Sequence, residues 1–473
     1  MENDVILKVD NLKQHFKTGT GKYKIYNKAV DGVSFEVRRG EVFSLVGESG
    51  CGKTTTGRTI IKIYKPTDGE VHLLGKRIVA GTRGLVKEKN RLGFTYQEKI
   101  KLVQVDNSLS NEQKAERIAE LKEEKKQRRR EIVAEIKARK RDHKSKYRPS
   151  KESIEQVKVE SKEKIEVLRK EIQKAQDDFL KFKATAFQQT DALPKSTSDK
   201  ERHEIHAEEL EVYRKVRSDK NKKVKAMEDE IVRLSLAHKF YKRPLLNRMQ
   251  MIFQDPIDSL DPRMSVKDII AESLYINGIR NDKVVLDKVY EVLKLVGLQP
   301  DHADHYPHEF SGGQRQRIGI ARAIIAEPQL IIADEPISAL DVSIQAQVIN
   351  LLNELRHKLG LTILFIAHDL SVVKFLSDRI AIMYFGKIVE MGSKERVFNN
   401  PVHPYTLSLI SAIPMPDPEF ERLRGENVKY DPRVHDYSVD QPTMREIEPD
   451  HFVYANDAEF KKYQAIIANK KAE

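Results

Sequence analysis

The chain has a single cysteine, Cys51, and no tryptophan among its 473 residues. One thiol excludes an internal disulfide, so the fold must be held by packing and polar contacts, as expected of a cytosolic protein. Long apolar runs are missing too. The best candidate, IGIARAIIAEPQLIIADEP, is interrupted by Arg322, Glu327 and Pro328. It reads as helix, turn and buried strand, not as the roughly 20 apolar residues that cross a bilayer. The start, MENDVILKVD, lacks a basic stretch followed by an apolar one, so no secretory signal is expected. A soluble or peripheral protein is the plain reading.

Glycine is absent in one place. From 111 to 240 there is none, the only prolines are Pro149 and Pro194, and Lys, Glu, Arg and Ala dominate, the composition of long exposed helices. The net charge of +12 is concentrated there: residues 101–243 carry 39 Lys and Arg against 28 Asp and Glu, and the remainder is close to neutral. Apolar residues recur at steps of three and four. Ile165, Leu168, Ile172, Ala175, Phe179 and Phe182 form one stripe; Leu210, Tyr213, Val224, Met227, Ile231 and Leu234 form a second. This spacing predicts heptad-like packing of two antiparallel helices joined through ATAFQQTDALPKSTSD. A third helix, about Asn111 to Tyr147, reads as a solvated charged arm. On either side of this segment the pattern differs. Residues 5–84 read as short strands and turns, and 249–400 alternate apolar strands with helices, the rhythm of an α/β domain with a largely parallel sheet.

Chemistry concentrates in three short stretches. GESGCGKT, from Gly47 to Thr54, fits G-x-x-x-x-G-K-[ST], with the apolar run EVFSLVG before it and a helical pattern after it. Glycines let backbone N–H groups converge on phosphate oxygens at a helix start, Lys53 can reach the β- and γ-phosphates, and Thr54 can bind Mg²⁺. Cys51 is a spacer in that loop. The second stretch, LIIADEP, ends a buried strand in two carboxylates, which need a cation or hydrogen bonds to compensate them. Asp334 would hold Mg²⁺, and Glu335 would orient or deprotonate the water that attacks the γ-phosphate. The third, EFSGGQRQRIGIARA, opens a helix at Ser311, Gly312 and Gly313, again a device for binding phosphate. Two such turns do not easily serve one nucleotide.

SGGQ (Ser311 to Gln314) lies 23 residues before Asp334. Together with the Gly47 loop, with SALD (Ser338 to Asp341) and with IAHD (Ile366 to Asp369), it resembles the ATP-binding cassette (ABC) ATPases. The resemblance implies an α/β P-loop cassette with an antiparallel β subdomain and a helical signature subdomain, here interrupted by a long, coiled-coil-like helical insert. It implies ATP and Mg²⁺ as cofactors, and two cassettes paired head to tail over each nucleotide. The ATP contacts would then be Gly47, Glu48, Ser49, Gly50, Cys51, Gly52, Lys53, Thr54 and Thr55 from one cassette, and Ser311, Gly312, Gly313 and Gln314 from its neighbour. Asp341 would communicate across the pair. Gln254 in MIFQDP would be the Q-loop glutamine that senses Mg²⁺ and the attacking water, and His368 the switch histidine on the γ-phosphate. Phe16 in NLKQHF takes the place of the adenine-stacking aromatic; Tyr23 and Tyr26 are close in sequence, and a packing role for Phe16 stays open.

Longer stretches, IFQDPIDSLDPRMSV, ADEPISALDVSIQAQVINLL and NNPVHPYTLSLISAIPMPDP among them, resemble the oligopeptide/dipeptide permease ATPases, more the F-type than the D-type subunit. The implied domains are 1–90 with 246–398 as the discontinuous cassette, 91–245 as the insert, and 399–473 as a C-terminal extension of that subfamily. The implied partners are a second, D-type ATPase subunit, two transmembrane permease subunits and, indirectly, an extracytoplasmic peptide-binding protein, which places the chain at the cytoplasmic face of the membrane. The competing reading is an ABC-type ATPase acting on nucleic acid through its basic insert. The insert's position before Gln254 and the HPYTLSLISAIP extension oppose it, and no nucleic-acid partner is expected.

Overall fold

The computed structural model describes residues 4–19, 25–106, 110–144, 151–241, 245–413 and 429–472. Tyr23, the far end of the third helix at Tyr147, Pro149 and the PMPDP end of the extension lie outside the described residues. The chain divides into two compact units: Met1–Lys146 with Leu245–Ile276 and Arg280–Glu473, and Tyr147–Pro244 with Asn277–Ile279.

The first unit holds two sheets. One is antiparallel, in the order β2-β1-β4-β5, from β1 (Val5–Thr18), β2 (Ile25–Arg38), β4 (Asp68–Leu73) and β5 (Lys76–Ala80). Burial alternates along β4, DGEVHL, where every second residue is buried. The other has eight strands in the order β11-β12-β10-β9-β3-β8-β7-β6. Its centre is built of β3 (Val42–Val46), β7 (Leu330–Asp334) and β8 (Thr362–Ala367), whose residues are all buried. Such near-continuous apolar runs belong to parallel strands covered on both faces. β6 (Met249–Ile252) and β9 (Arg379–Tyr384) are parallel to their inner neighbours. β10 (Lys387–Ser393), β11 (Thr443–Glu448) and β12 (His451–Ala455) continue the sheet antiparallel.

The register places the chemistry. Val46 pairs with Ala367, Asp334 with Ile366, and Ile252 with Ala333. The carboxyl ends of β3, β6, β7 and β8 therefore lie side by side, and the segments beginning at Gly47, Phe253, Glu335 and His368 leave one edge of the sheet. Ligand crevices of open α/β sheets form at such edges.

The third helix, Asn111–Lys144, is not a solvated arm. It packs against helix Arg83–Val105 and strand β5. Leu121 and Ile132 are buried, and Arg77 of β5 reaches Glu135 at 2.6 Å and Asp142 at 2.8 Å from that helix as well as Glu70 at 2.9 Å. Charges read as solvated in the sequence are here the docking contacts. Both helices thus lie in the first unit, whereas the sequence expectation grouped everything from 91 to 245.

Within the second unit, helix Lys151–Thr185 packs along helix Asp199–Tyr241. Phe187 meets His206, Phe179 and Phe182 meet Tyr213, and the Lys220 ammonium lies over Phe179. As one number falls the other rises, so the two helices run antiparallel. No helix among the described residues is long and apolar enough to cross a membrane.

Candidate nucleotide site

The stretch from Gly47 to Gly52 turns between β3 and helix Lys53–Ile60. Gly47, Gly50 and Gly52 have φ of 155°, 80° and 109°. A Cβ on Gly47 would sit 2.2 Å from the Met383 carbonyl oxygen, and one on Gly52 2.1 Å from that of Ala29. Both approaches demand glycine. Inside the turn the buried Lys53 ammonium donates to the carbonyls of Gly47 (2.7 Å) and Glu48 (2.9 Å) and lies 3.8 Å from Glu335 Oε1. Burial pushes the Cys51 thiol up against the opposing pull of Lys53, which suits an inert spacer and not a reactive thiol. Glu48, Ser49 and Gly50 are exposed at the tip, and Thr54 and Thr55 are half-buried in the first turn of the helix.

Glu335 gathers the other groups. Gln254 Nε2 donates to its Oε2 at 3.3 Å, and His368 Nδ1 lies 3.1 Å from the same oxygen. Residues from four sheet-edge segments therefore meet on one carboxylate. Glu335 itself adopts φ 44°, a conformation rare for residues with a Cβ. Its N–H donates to the Ile366 carbonyl at 3.0 Å, and its own carbonyl accepts from Ser338 Oγ at 3.1 Å.

Asp334, fully buried, accepts a 2.7 Å hydrogen bond from Thr54 Oγ1. Its other oxygen, Oδ2, accepts no hydrogen bond among the described residues and has Arg58 Nε at 3.7 Å. Burial drives this carboxyl above its ordinary range, against the pull of the Thr54 hydroxyl and of Arg58. A half-buried hydroxyl and a buried carboxylate in contact, with a carboxylate oxygen left over, fit a hard divalent cation.

The remaining expected residues lie elsewhere. Ser311 caps helix Gly312–Ile324: its Oγ accepts from Gln314 N–H, and Gln314 Oε1 accepts from Ser311 N–H. A Cβ on Gly313 would strike Ile344 at 2.6 Å, while Gly312 has ordinary space. Among the described residues the hydrogen bonds of this tip are local, and none reaches the Lys53 cluster. Asp341, exposed, precedes helix Val342–Leu359 and accepts backbone bonds from Ile344 and Gln345. Phe16, half-buried in β1, packs edge-on against Tyr64 at 5.4 Å.

Sequence reasoning passed over Arg58, whose place one and a half turns beyond Lys53 was the available signal, and Tyr405, whose hydroxyl accepts a 3.1 Å bond from the Glu48 N–H. Nothing local in the sequence links positions 357 residues apart.

A glycine turn leading from a parallel strand into a helix, with its lysine beside two carboxylates at the end of a strand two places away in the same sheet, defines a P-loop nucleotide-binding protein. The family described as "ABC transporter" matches residues 30–157 and 223–338, and the chain belongs to that family. The family described as "Oligopeptide/dipeptide transporter, C-terminal region" matches residues 389–434. Over 461 residues, 97% of this chain and 98% of the relative, the sequence is 38% identical to "Oligopeptide transport ATP-binding protein OppF" of Bacillus subtilis. It is 57% identical over 221 residues to "Oligopeptide transport ATP-binding protein AmiF" of Streptococcus pneumoniae, covering 46% of this chain and 71% of that one. A third relative, "Dipeptide transport ATP-binding protein DppF" of Lactococcus lactis, is 56% identical over 223 residues, 47% of this chain and 71% of its own.

Proposed function

We propose that this chain binds and hydrolyses ATP to power the import of oligopeptides through an ABC transporter. The observation that carries the ATPase half is the meeting of Lys53, Gln254 and His368 on Glu335, one residue beyond the buried Asp334. Lys53 binds the β- and γ-phosphates, and the loop Gly47 to Thr55 supplies backbone donors around them. Glu335 orients the attacking water and takes its proton, with His368 and Gln254 fixing the carboxylate. Thr54, Asp334 and Gln254 would hold Mg²⁺, which would neutralise charge on the β- and γ-phosphates.

The peptide half is supported by the C-terminal match at 389–434 and by relatives named for oligopeptide and dipeptide transport. On this reading the chain sits at the cytoplasmic face of the membrane against two permease subunits, with a D-type ATPase as its partner cassette and a peptide-binding protein outside. Ser311, Gly312, Gly313 and Gln314 serve the partner's nucleotide, Asp341 lies at the junction, and Phe16 stacks on adenine. The antiparallel helices Lys151–Thr185 and Asp199–Tyr241 form a coiled-coil-like insertion into the cassette. The relatives named above are transport proteins, which opposes the nucleic-acid alternative.

The test is ATP-dependent uptake of labelled peptide into vesicles holding the whole transporter. Lys53→Ala is expected to abolish both ATP binding and uptake. ATP binding that survives Lys53→Ala unchanged would remove the loop from the account.

A further inference from the structure

The HPY stretch, His403 to Tyr405, opens helix Pro404–Ser411. His403 is its cap: Nδ1 accepts from the Tyr405 N–H at 3.2 Å. Pro404 stands at the first helical position, where its fixed φ and missing N–H cost least. The stretch is anchored from below, since the N–H groups of Val402 and His403 donate to the two oxygens of the buried Glu390, at 3.1 and 3.0 Å. Tyr405 is 1% exposed, and its ring packs on Tyr384 at 4.5 Å and Tyr430 at 5.3 Å. From that position its hydroxyl oxygen accepts the 3.1 Å bond from the Glu48 N–H. The neighbouring turn grips the same loop: Gly386 N–H donates to the Cys51 carbonyl at 2.8 Å, and the Met383 carbonyl abuts Gly47.

We propose that Tyr405 is a positioning residue for the phosphate-binding loop: its hydroxyl holds the Glu48 N–H, so the C-terminal extension sets the loop's shape and with it the affinity for ATP. The loop binds phosphate through converging backbone N–H groups, and such a site depends on the backbone being held before the ligand arrives. Glu48 is exposed at the loop tip. Water replaces the lost partner of its N–H when the hydroxyl is removed, which limits the effect on stability, but water does not fix the loop. The inference rests on the ATP-binding reading above.

The experiment measures equilibrium binding of ATP with Mg²⁺, and thermal unfolding without nucleotide, for the full chain and two variants. Tyr405→Phe keeps the packed ring and deletes the hydroxyl. It is expected to weaken ATP binding about fivefold, the effect of one hydrogen bond, while the unfolding midpoint of the nucleotide-free chain stays within about 2 °C of wild type. Tyr463→Phe removes the hydroxyl of another buried tyrosine, in the extension's own core, and is expected to bind ATP like wild type. Wild-type affinity in Tyr405→Phe overturns the proposal, as does equal weakening in Tyr463→Phe, which would mean general loosening of the extension. A wild-type chain that fails to bind ATP would instead remove the underlying reading.

Discussion

At the scale of single residues the site is a set of charges held against their own tendencies. Lys53 is buried among carbonyl oxygens, Asp334 is buried with one oxygen short of a hydrogen bond, and Glu335 keeps a left-handed backbone. Each is costly unless a ligand or neighbour compensates it, which is the usual mark of a functional position. His403 shows the same logic in the extension. Burial, followed by the nearby His435, holds its pKa down to about 3 from an ordinary 6.5. The folded state therefore refuses a proton that the unfolded chain accepts. This contribution is whole above pH 6.5 and is lost as the pH falls toward 3, by about 2 kcal/mol between pH 7 and pH 5. His403→Asn keeps a capping side chain and is expected to flatten that slope, measured as urea unfolding at the two pH values. An unchanged slope would show that His403 does not carry it. Lys53, Asp334 and Glu335 were legible because their motifs have fixed spacing and a mechanism. Tyr405 and Arg58 were not, since each acts through a contact that only the folded chain creates.

At the scale of elements, the central strands could be read directly: VFSLV, LIIAD and TILFIA are buried throughout and apolar at all but one position each because both faces of a parallel sheet are covered. The antiparallel helices of the second unit were legible from their stripes, and the Phe179, Phe182 and Tyr213 contacts lie on them. Helix Asn111–Lys144 was misread for a physical reason. Its surface is dominated by charge, and what docks it is two buried apolar residues, Leu121 and Ile132, together with ion pairs to Arg77 of β5. Periodicity of apolar residues cannot report a face built from charges. Arg77 also pairs with Glu70, so three carboxylates share one guanidinium. Arg77→Ala removes the guanidinium they share, while Glu135 keeps Arg139 at 2.9 Å. The side chain is 18% exposed, so the loss falls below that of a fully buried pair, at about 1 to 3 kcal/mol. It should appear as faster amide exchange along 121–139. Unchanged exchange there would mean that the apolar contacts alone hold the helix.

At the scale of the whole molecule, one polypeptide carries two glycine turns that open helices, the Gly47 loop and the Ser311 helix start, and the hydrogen bonds of the second stay local. On the proposed function, each turn serves a different nucleotide, shared with a partner cassette. ATP then favours the closed pair because its charge is attracted by both helix starts, and hydrolysis removes that attraction. The extension is part of the same body, since β11 and β12 continue the central sheet and Tyr405 touches the loop.

The most direct measurement is single-turnover ATP hydrolysis by Glu335→Gln, with the size of the ATP-bound assembly followed in parallel. The account predicts retained ATP binding, a loss of hydrolysis of at least about a hundredfold, as expected when a general base is removed, and accumulation of the closed pair of cassettes. Hydrolysis at the wild-type rate, or no change in assembly size when ATP is bound, would contradict it.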